Sequence, residues 1–232
     1  MRVDLHIHTI ASHDAISSLP AIIKAGRKWG LQAVAITDHN KFINWGGEPQ
    51  STELLIINGE EVTTQEGEII GLFLKEQVLP GLTAEETIAA IKEQGAVTYL
   101  PHPLKESGSH LWSKKGLEKI IPLVDIVEVF NGRLLNPEAN NQAYHMAAEA
   151  GVLMGAGSDA HTPWEVGRAF VEMTEFDSPA TFLNGLRNAK IFGRPPSISA
   201  RILLNRFSRK FLRRLLPFQE HHPLFNKLWL PF

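Results

Sequence analysis

Val3-Asp4-Leu5-His6-Ile7-His8-Thr9 opens the chain as an extended segment carrying two histidines with one residue between them. Alternate side chains of a strand point the same way, so His6 and His8 fall on one face. Leu5 and Ile7 fall on the other, where they can enter a core. Two imidazoles that converge at a strand end are well placed to begin a metal site. The same pattern also describes two surface histidines on an edge strand, because HxH alone has little specificity. The remainder of the chain decides between the two.

With 232 residues the chain is long enough for a closed core, as one large domain or as a domain with an appendage. Its 44% hydrophobic and 21% charged residues are those of a soluble globular protein. There is no cysteine, which excludes disulfides and thiolate metal sites. Any metal must therefore be held by His, Asp, Glu or backbone oxygen, which favours zinc, manganese or iron. No basic start followed by an apolar run is visible, and no apolar stretch reaches the roughly 18 residues of a membrane span. A cytoplasmic enzyme is the expectation. The net charge of −2 hides an asymmetry: residues 1–177 carry 24 acids against 13 Lys and Arg, while 178–219 carry nine Lys and Arg and no acid. The acidic part suits a site that gathers cations.

After the first strand, Ser17 or Ser18 can cap a helix through Lys28, with Pro20 in its first turn and Gly30 past its end. Thr83-Ala84-Glu85-Glu86 has the form of a capping box for a helix to Gln94, closed by Gly95. Asn136-Pro137 begins a third helix, to Ala150, closed by Gly151. Further strands are predicted over 32–37, 54–58, 68–74, 96–100, 125–130 and 152–156, the one at 68–74 able to hairpin with its predecessor through Gly67. Residues 104–116 are polar and aperiodic, a predicted loop over the site. Helix, closing glycine and short apolar strand recur at Gly30, Gly95 and Gly151, the rhythm of βα units and a parallel sheet. About seven such strands in roughly 200 residues favour a closed barrel over an open sheet.

Each strand is followed at its C-terminal end by a polar residue: His6, His8, Asp14, His39, Glu61, His102, Asn131, Asp159 and His161. In parallel α/β architectures that end is where ligands bind. Single members of this set can serve as helix caps or supporting groups, but nine donors at one mouth exceed the needs of a single metal. Glu61 and Asp159 each have two oxygens with which to bridge ions.

Five segments carry a closer resemblance: Asp4-Leu5-His6-Ile7-His8-Thr9, Thr37-Asp38-His39, Gly59-Glu60-Glu61-Val62, Pro101-His102-Pro103 and Gly157-Ser158-Asp159-Ala160-His161. In this order they resemble the successive motifs of the PHP (polymerase and histidinol phosphatase) superfamily, over roughly residues 1–170. The resemblance implies an α/β fold, a distorted (β/α)7 TIM-like barrel with a trinuclear metal centre at the C-terminal mouth of its strands. Members are mostly phosphoesterases. By the same resemblance His6, His8, Glu61 and Asp159 would hold one metal. Glu61 would bridge to a second that also takes His102, and a loop residue, His39 and His161 would hold a third. The loop ligand is Asp14 for one family spacing and His13 for another, with Asp14 favoured. Asn131 stands where His or Cys often completes the second site, and a neutral amide is the poorer ligand.

Closely spaced divalent ions lower the pKa of a bridging water and neutralise phosphate oxygens during in-line displacement. The expected activity is hydrolysis of a phosphate ester, with Glu61, Asp159 and His161 at the reaction centre and Arg133 and Asn131 on the substrate. Arg133 can fork onto a phosphate, or pair with a helix acid as an ordinary surface arginine. Arg168 and Arg194 are weaker candidates, and Lys105 and His110 lie on the polar loop without a motif. His145, His221 and His222 are read as solvated, and Trp45, Trp112 and Trp164 as loop pins ahead of a role in stacking a base. The expected substrate is a small phosphorylated metabolite or nucleotide, with oligonucleotide ends and any nucleic-acid partner less favoured. An amidohydrolase-like metal hydrolase and a catalytically silent PHP interaction module are the alternatives; no metal-bridging lysine is evident for the first, and the near-complete ligand set disfavours the second.

The expected barrel domain spans 1–196, with Pro195-Pro196 at its boundary. A tail occupies 197–232. As a helix, 200–216 would align Ala200, Leu203, Leu204, Phe207, Phe211 and Leu215 on one face and most of Arg206, Arg209, Lys210, Arg213 and Arg214 on the other. Packing on protein, in this chain or in a homo-oligomer, is the expected fate of that helix, ahead of peripheral contact with an anionic membrane or with a nucleic-acid backbone.

Overall fold

The computed structural model describes residues 1–45, 54–106 and 109–195. The tail predicted over 197–232 lies outside the described residues. Strand β1 (Arg2–Ile7) is the axis of the architecture. Parallel to it run β2 (Ala33–Ile36) and then β3 (Leu55–Thr63). The chain then turns back through Thr64–Gly67, so that β4 (Glu68–Leu72) is antiparallel to both β3 and β5 (Val97–Leu100). Parallel pairing resumes with β6 (Ile126–Asn131) and β7 (Leu153–Gly157). The residues after β7 come back to β1: the Asp159 amide donates to His6 O at 2.8 Å and the His8 amide to Ala160 O at 2.9 Å. Seven strands thus make a nearly closed, distorted barrel. A hairpin of β8 (Ala169–Glu172) and β9 (Lys190–Gly193) flanks it, β8 running antiparallel to the start of β1.

Three of the five α-helices among the described residues form where caps and apolar spacing placed them. Helix α1 (Leu19–Lys28) starts at Ser18, whose hydroxyl accepts from the Ala21 amide. Helix α2 (Ala84–Glu93) carries the complete Thr83–Glu86 capping box. Helix α3 (Lys114–Ile120) begins inside the stretch expected to be loop, α4 (Pro137–Ala150) ends on left-handed Gly151, and α5 (Pro179–Leu186) follows β8. Every strand from β1 to β8 adds side chains to one central cluster, among them Val3, Leu5, Ile70, Leu72, Tyr99 and Ile126, joined by Phe182 and Leu186 of α5. Each large side chain so buried contributes about 1.5–3 kcal/mol. Among the described residues no helix is long and apolar enough to cross a membrane.

Strict alternation along β1 does not hold. Val3 and Leu5 enter the central cluster, whereas Ile7 packs with Ile22, Val34 and Ile36 in a separate cluster that includes α1. The register against β2 slips between Asp4 and Ile7. Such an irregularity re-aims side chains near the end of a strand, and here it lies directly under the histidines.

Candidate metal centre

His6 and His8 do converge, with their Nε2 atoms 3.0 Å apart. Glu61 Oε2 lies 3.4 Å from the first and 3.3 Å from the second, and Asp159 Oδ1 lies 3.8 and 3.4 Å away. Ligand atoms around a tetrahedral ion, each at about 2.0–2.1 Å, sit roughly 3.4 Å from one another. These four side chains therefore already stand at coordination spacing. The other oxygen of Glu61, Oε1, is 3.0 Å from Nε2 of His102. Opposite, Asp14 lies 3.6 Å from His39 Nε2 and 3.0 Å from His161 Nε2. His13, the competing loop ligand, is exposed, and the structure turns Asp14 toward the cluster. Asp14 Oδ1 is buried without a hydrogen-bond partner, and His161 Nε2 has only the other Asp14 oxygen beside it. Buried polar atoms left so cost free energy unless something fills the gap, and a cation fits this donor set.

The imidazoles are oriented from behind. Ser12 Oγ donates to Asp38 at 2.6 Å, accepts from the His39 amide and faces His8 Nδ1 at 3.2 Å. With its hydrogen spent on Asp38, the hydroxyl accepts from Nδ1–H of His8 and leaves Nε2 to the site. Glu128 does the same for His6 through Nδ1 at 3.1 Å, while also accepting from the Tyr99 hydroxyl and the His102 amide. Asp38 accepts from the amides and hydroxyls of both Thr9 and Ser12, which pins the loop that carries Asp14. Outer partners of this kind fix ring orientation and raise ligand basicity. His102 and Asp159 hold φ of 27° and 51°, a region unfavourable for residues with a Cβ. Their amide bonds to Glu128 and to His6 O keep them there, and such outliers gather at functional sites.

Burial alone would neutralise these carboxyls. His39 and His6 nevertheless hold Glu61 well below the usual carboxylate range, and His6, His8 and His161 do so for Asp159. In return, burial of His39 is outweighed by Glu61 and Asp14, whose charge lifts its pKa to about 9. The carboxylates are thus held ionised by the imidazoles around them, and a cation bound among them would serve the same end. Burial and the nearby Arg133 push His161 the other way, down to about 4. The Arg133 guanidinium stands at the mouth, Nη1 being 2.5 Å from His161 Nδ1 and 3.8 Å from Asp159 Oδ1.

All eight predicted ligands therefore meet at the C-terminal mouth of the barrel, with Arg133 beside them. Asn131 is close but spoken for. Its Oδ1 accepts from the Arg133 and Leu134 amides, its Nδ2 donates to Glu128 and Asp159, and the residue is 1% exposed. It holds the turn after β6 and two carboxylates, so its amide hydrogens and oxygen are already engaged within the protein. Sequence reasoning missed Glu128, Glu68, Ser12 and Glu165. Glu128 did leave a signal, an acid inside Val127-Glu128-Val129, where a buried charge needs a partner. Glu165, which accepts from the His161 and Thr162 amides, left none.

The model of the PHP domain matches residues 4–150, and that of the PHP-associated family matches 137–191. An uncharacterised protein of Methanocaldococcus jannaschii is 36% identical over 197 residues, covering 81% of this chain and 79% of its own length. A protein of Shewanella piezotolerans named "Probable phosphatase" is 28% identical over 202 residues, covering 71% of this chain and 80% of its own. Among solved structures, a two-domain protein from Bacteroides vulgatus is described as containing a "predicted PHP-like metal-dependent phosphoesterase". It superposes with a TM-score of 0.63 at 19% identity, over 84% of this chain and 65% of that one, a likeness of fold alone.

Proposed function

Because this chain belongs to the PHP domain family, we propose that it is a metal-dependent phosphoesterase working with two or three divalent ions, manganese, zinc or iron. The observation that carries the reading is the placement of Glu61. One oxygen faces His6, His8 and His39, and the other faces His102, so a single carboxylate addresses two sets of donors. His6, His8, Glu61 and Asp159 would hold one ion, Glu61 and His102 a second, and Asp14, His39 and His161 a third. Bound ions would supply Lewis acidity toward the phosphoryl oxygens and lower the pKa of water. The chain supplies the rest. Ser12 and Glu128 keep the Nδ1 protons of His8 and His6 on the far side of the rings, so that the Nε2 lone pairs serve the centre. Arg133, partly exposed at the rim, presents a planar fork that can grip a phosphate and offset its charge. The name of the Shewanella relative supports a phosphatase, and a small phosphorylated metabolite or nucleotide is the substrate class we favour.

The test is phosphate release from a panel of phosphorylated metabolites and short oligonucleotides, with manganese supplied. Turnover abolished by a chelator and restored by metal is the expected result. Metal-loaded protein that releases no phosphate from any member, yet opens an amide or lactone panel, would replace this reading with the amidohydrolase alternative.

A further inference from the structure

The second ion of the proposed centre has too few partners if only the family-like positions are counted. Glu61 Oε1 and His102 Nε2 form a corner 3.0 Å wide, and two protein donors are fewer than the three or four that such sites employ. Asn131 cannot supply the third. Backbone amides only donate, so the Arg133 amide at 2.9 Å and the Leu134 amide at 3.2 Å fix which end of its side chain is oxygen. That oxygen is turned into the chain that follows β6, and the amide nitrogen faces Glu128 and Asp159.

Glu68, the first residue of β4, stands on the other side of the same corner. It is 5% exposed, and its Oε2 lies 3.9 Å from His102 Nε2. One of its oxygens also falls within 4.8 Å of ligand atoms of both His39 and Glu61. Its hydrogen-bond partner is the ammonium of Lys105, three residues beyond His102. An anion this deeply buried must be compensated, and the lysine does so while leaving the carboxylate beside His102. Resting on the metal-dependent reading above, we propose that Glu68 is the third protein ligand of the second ion, in the place Asn131 does not fill, with Lys105 as the charge that compensates it. The hairpin of β3 and β4 then carries two ligands of one ion, Glu61 and Glu68, on its two strands. The antiparallel excursion in an otherwise parallel barrel thereby acquires a purpose.

A plain structural ion pair is the rival explanation, and charge-matched variants separate the two. Stepwise Mn2+ binding is followed by calorimetry on wild-type protein, Glu68→Gln, Lys105→Met and the double variant. Metal retained after dialysis is counted by elemental analysis. Glu68→Gln should lose one equivalent, the corresponding step weakening about 100-fold or more, beyond the usual effect of an outer partner. The double variant keeps the wild-type net charge and volume and buries no unpaired ion, so it should fold and still lack that equivalent. Lys105→Met should keep it. Wild-type binding in Glu68→Gln, or recovery of the lost step in the double variant, would overturn the proposal and leave Glu68 as the counter-charge of Lys105. Wild-type protein that takes up no Mn2+ at all would overturn the metal-dependent reading itself.

Discussion

At Glu61 the two oxygens of one carboxylate face different imidazoles, so loss of its charge weakens two sets of ligands at once. Glu61→Gln should lower phosphatase activity roughly 100-fold or more while leaving the melting temperature near that of wild type, because the residue lines a mouth and not the apolar core. Near wild-type turnover by this variant would show that the reaction centre has been misplaced. Its neighbour Glu60 has another fate. Successive residues of a strand face opposite ways, and Glu60 is buried against the Val78 amide, with Oε1 unpartnered and its pKa raised by burial to about 7. A raised carboxyl pKa means the folded state holds the proton more tightly, so stability declines as pH rises from about 4.5 to 7. Glu60→Gln should therefore melt higher than wild type at pH 8, by an equivalent of about 1–2 kcal/mol after its unpaired amide is discounted, and show no gain at pH 5. Equal gains at both pH values would contradict this account. The histidines that gather at the mouth were legible because strand-end position and residue type coincide. Glu68 was not, because an acid beginning an apolar strand looks like an ordinary solvated edge.

Elements were legible where local chemistry alone selects them. The Thr83 hydroxyl accepts from the Glu86 amide, and the Glu86 carboxylate accepts from the Thr83 amide in return, at an exposed helix start. Thr83→Ala should cost about 1 kcal/mol in denaturant unfolding with no change in metal content; a loss of metal would mean α2 is coupled to the site. Elements chosen by tertiary contact were not readable. Strand β8 has four residues and takes its place by pairing antiparallel with β1, whereas α5 does carry a local start signal in Ser178, Pro179 and Thr181, masked by Asn184-Gly185, which reads as a turn. Gly185 sits inside that helix where a Cβ would come within 2.8 Å of Met173 and Thr174. Helix α3 was lost in a polar stretch for a similar reason, with Gly116 in its first turn. The slip in β1 also escaped the pattern, since a period of two carries no mark of where it breaks.

At the scale of the molecule, closure of the barrel and assembly of the site use the same residues. The segment after β7 completes the ring against β1, and it delivers Asp159 and His161 to His6 and His8. Gly157 permits the approach, since a Cβ there would lie 2.3 Å from the His6 Cβ and 2.8 Å from its backbone nitrogen. Gly157→Ala should lower stability by about 1–3 kcal/mol and weaken metal binding together; a variant with full stability and full metal content would separate closure from the site. The barrel itself was foreseeable from the recurrence of helix, glycine and strand, whereas its closure through residues beyond β7 depends on contacts no local pattern announces. The proposed multinuclear metal centre at this mouth is measured most directly as the metal content of protein purified without chelator. At least two transition-metal equivalents per chain are predicted. Less than one equivalent, not recovered on incubation with manganese, zinc or iron, would contradict it.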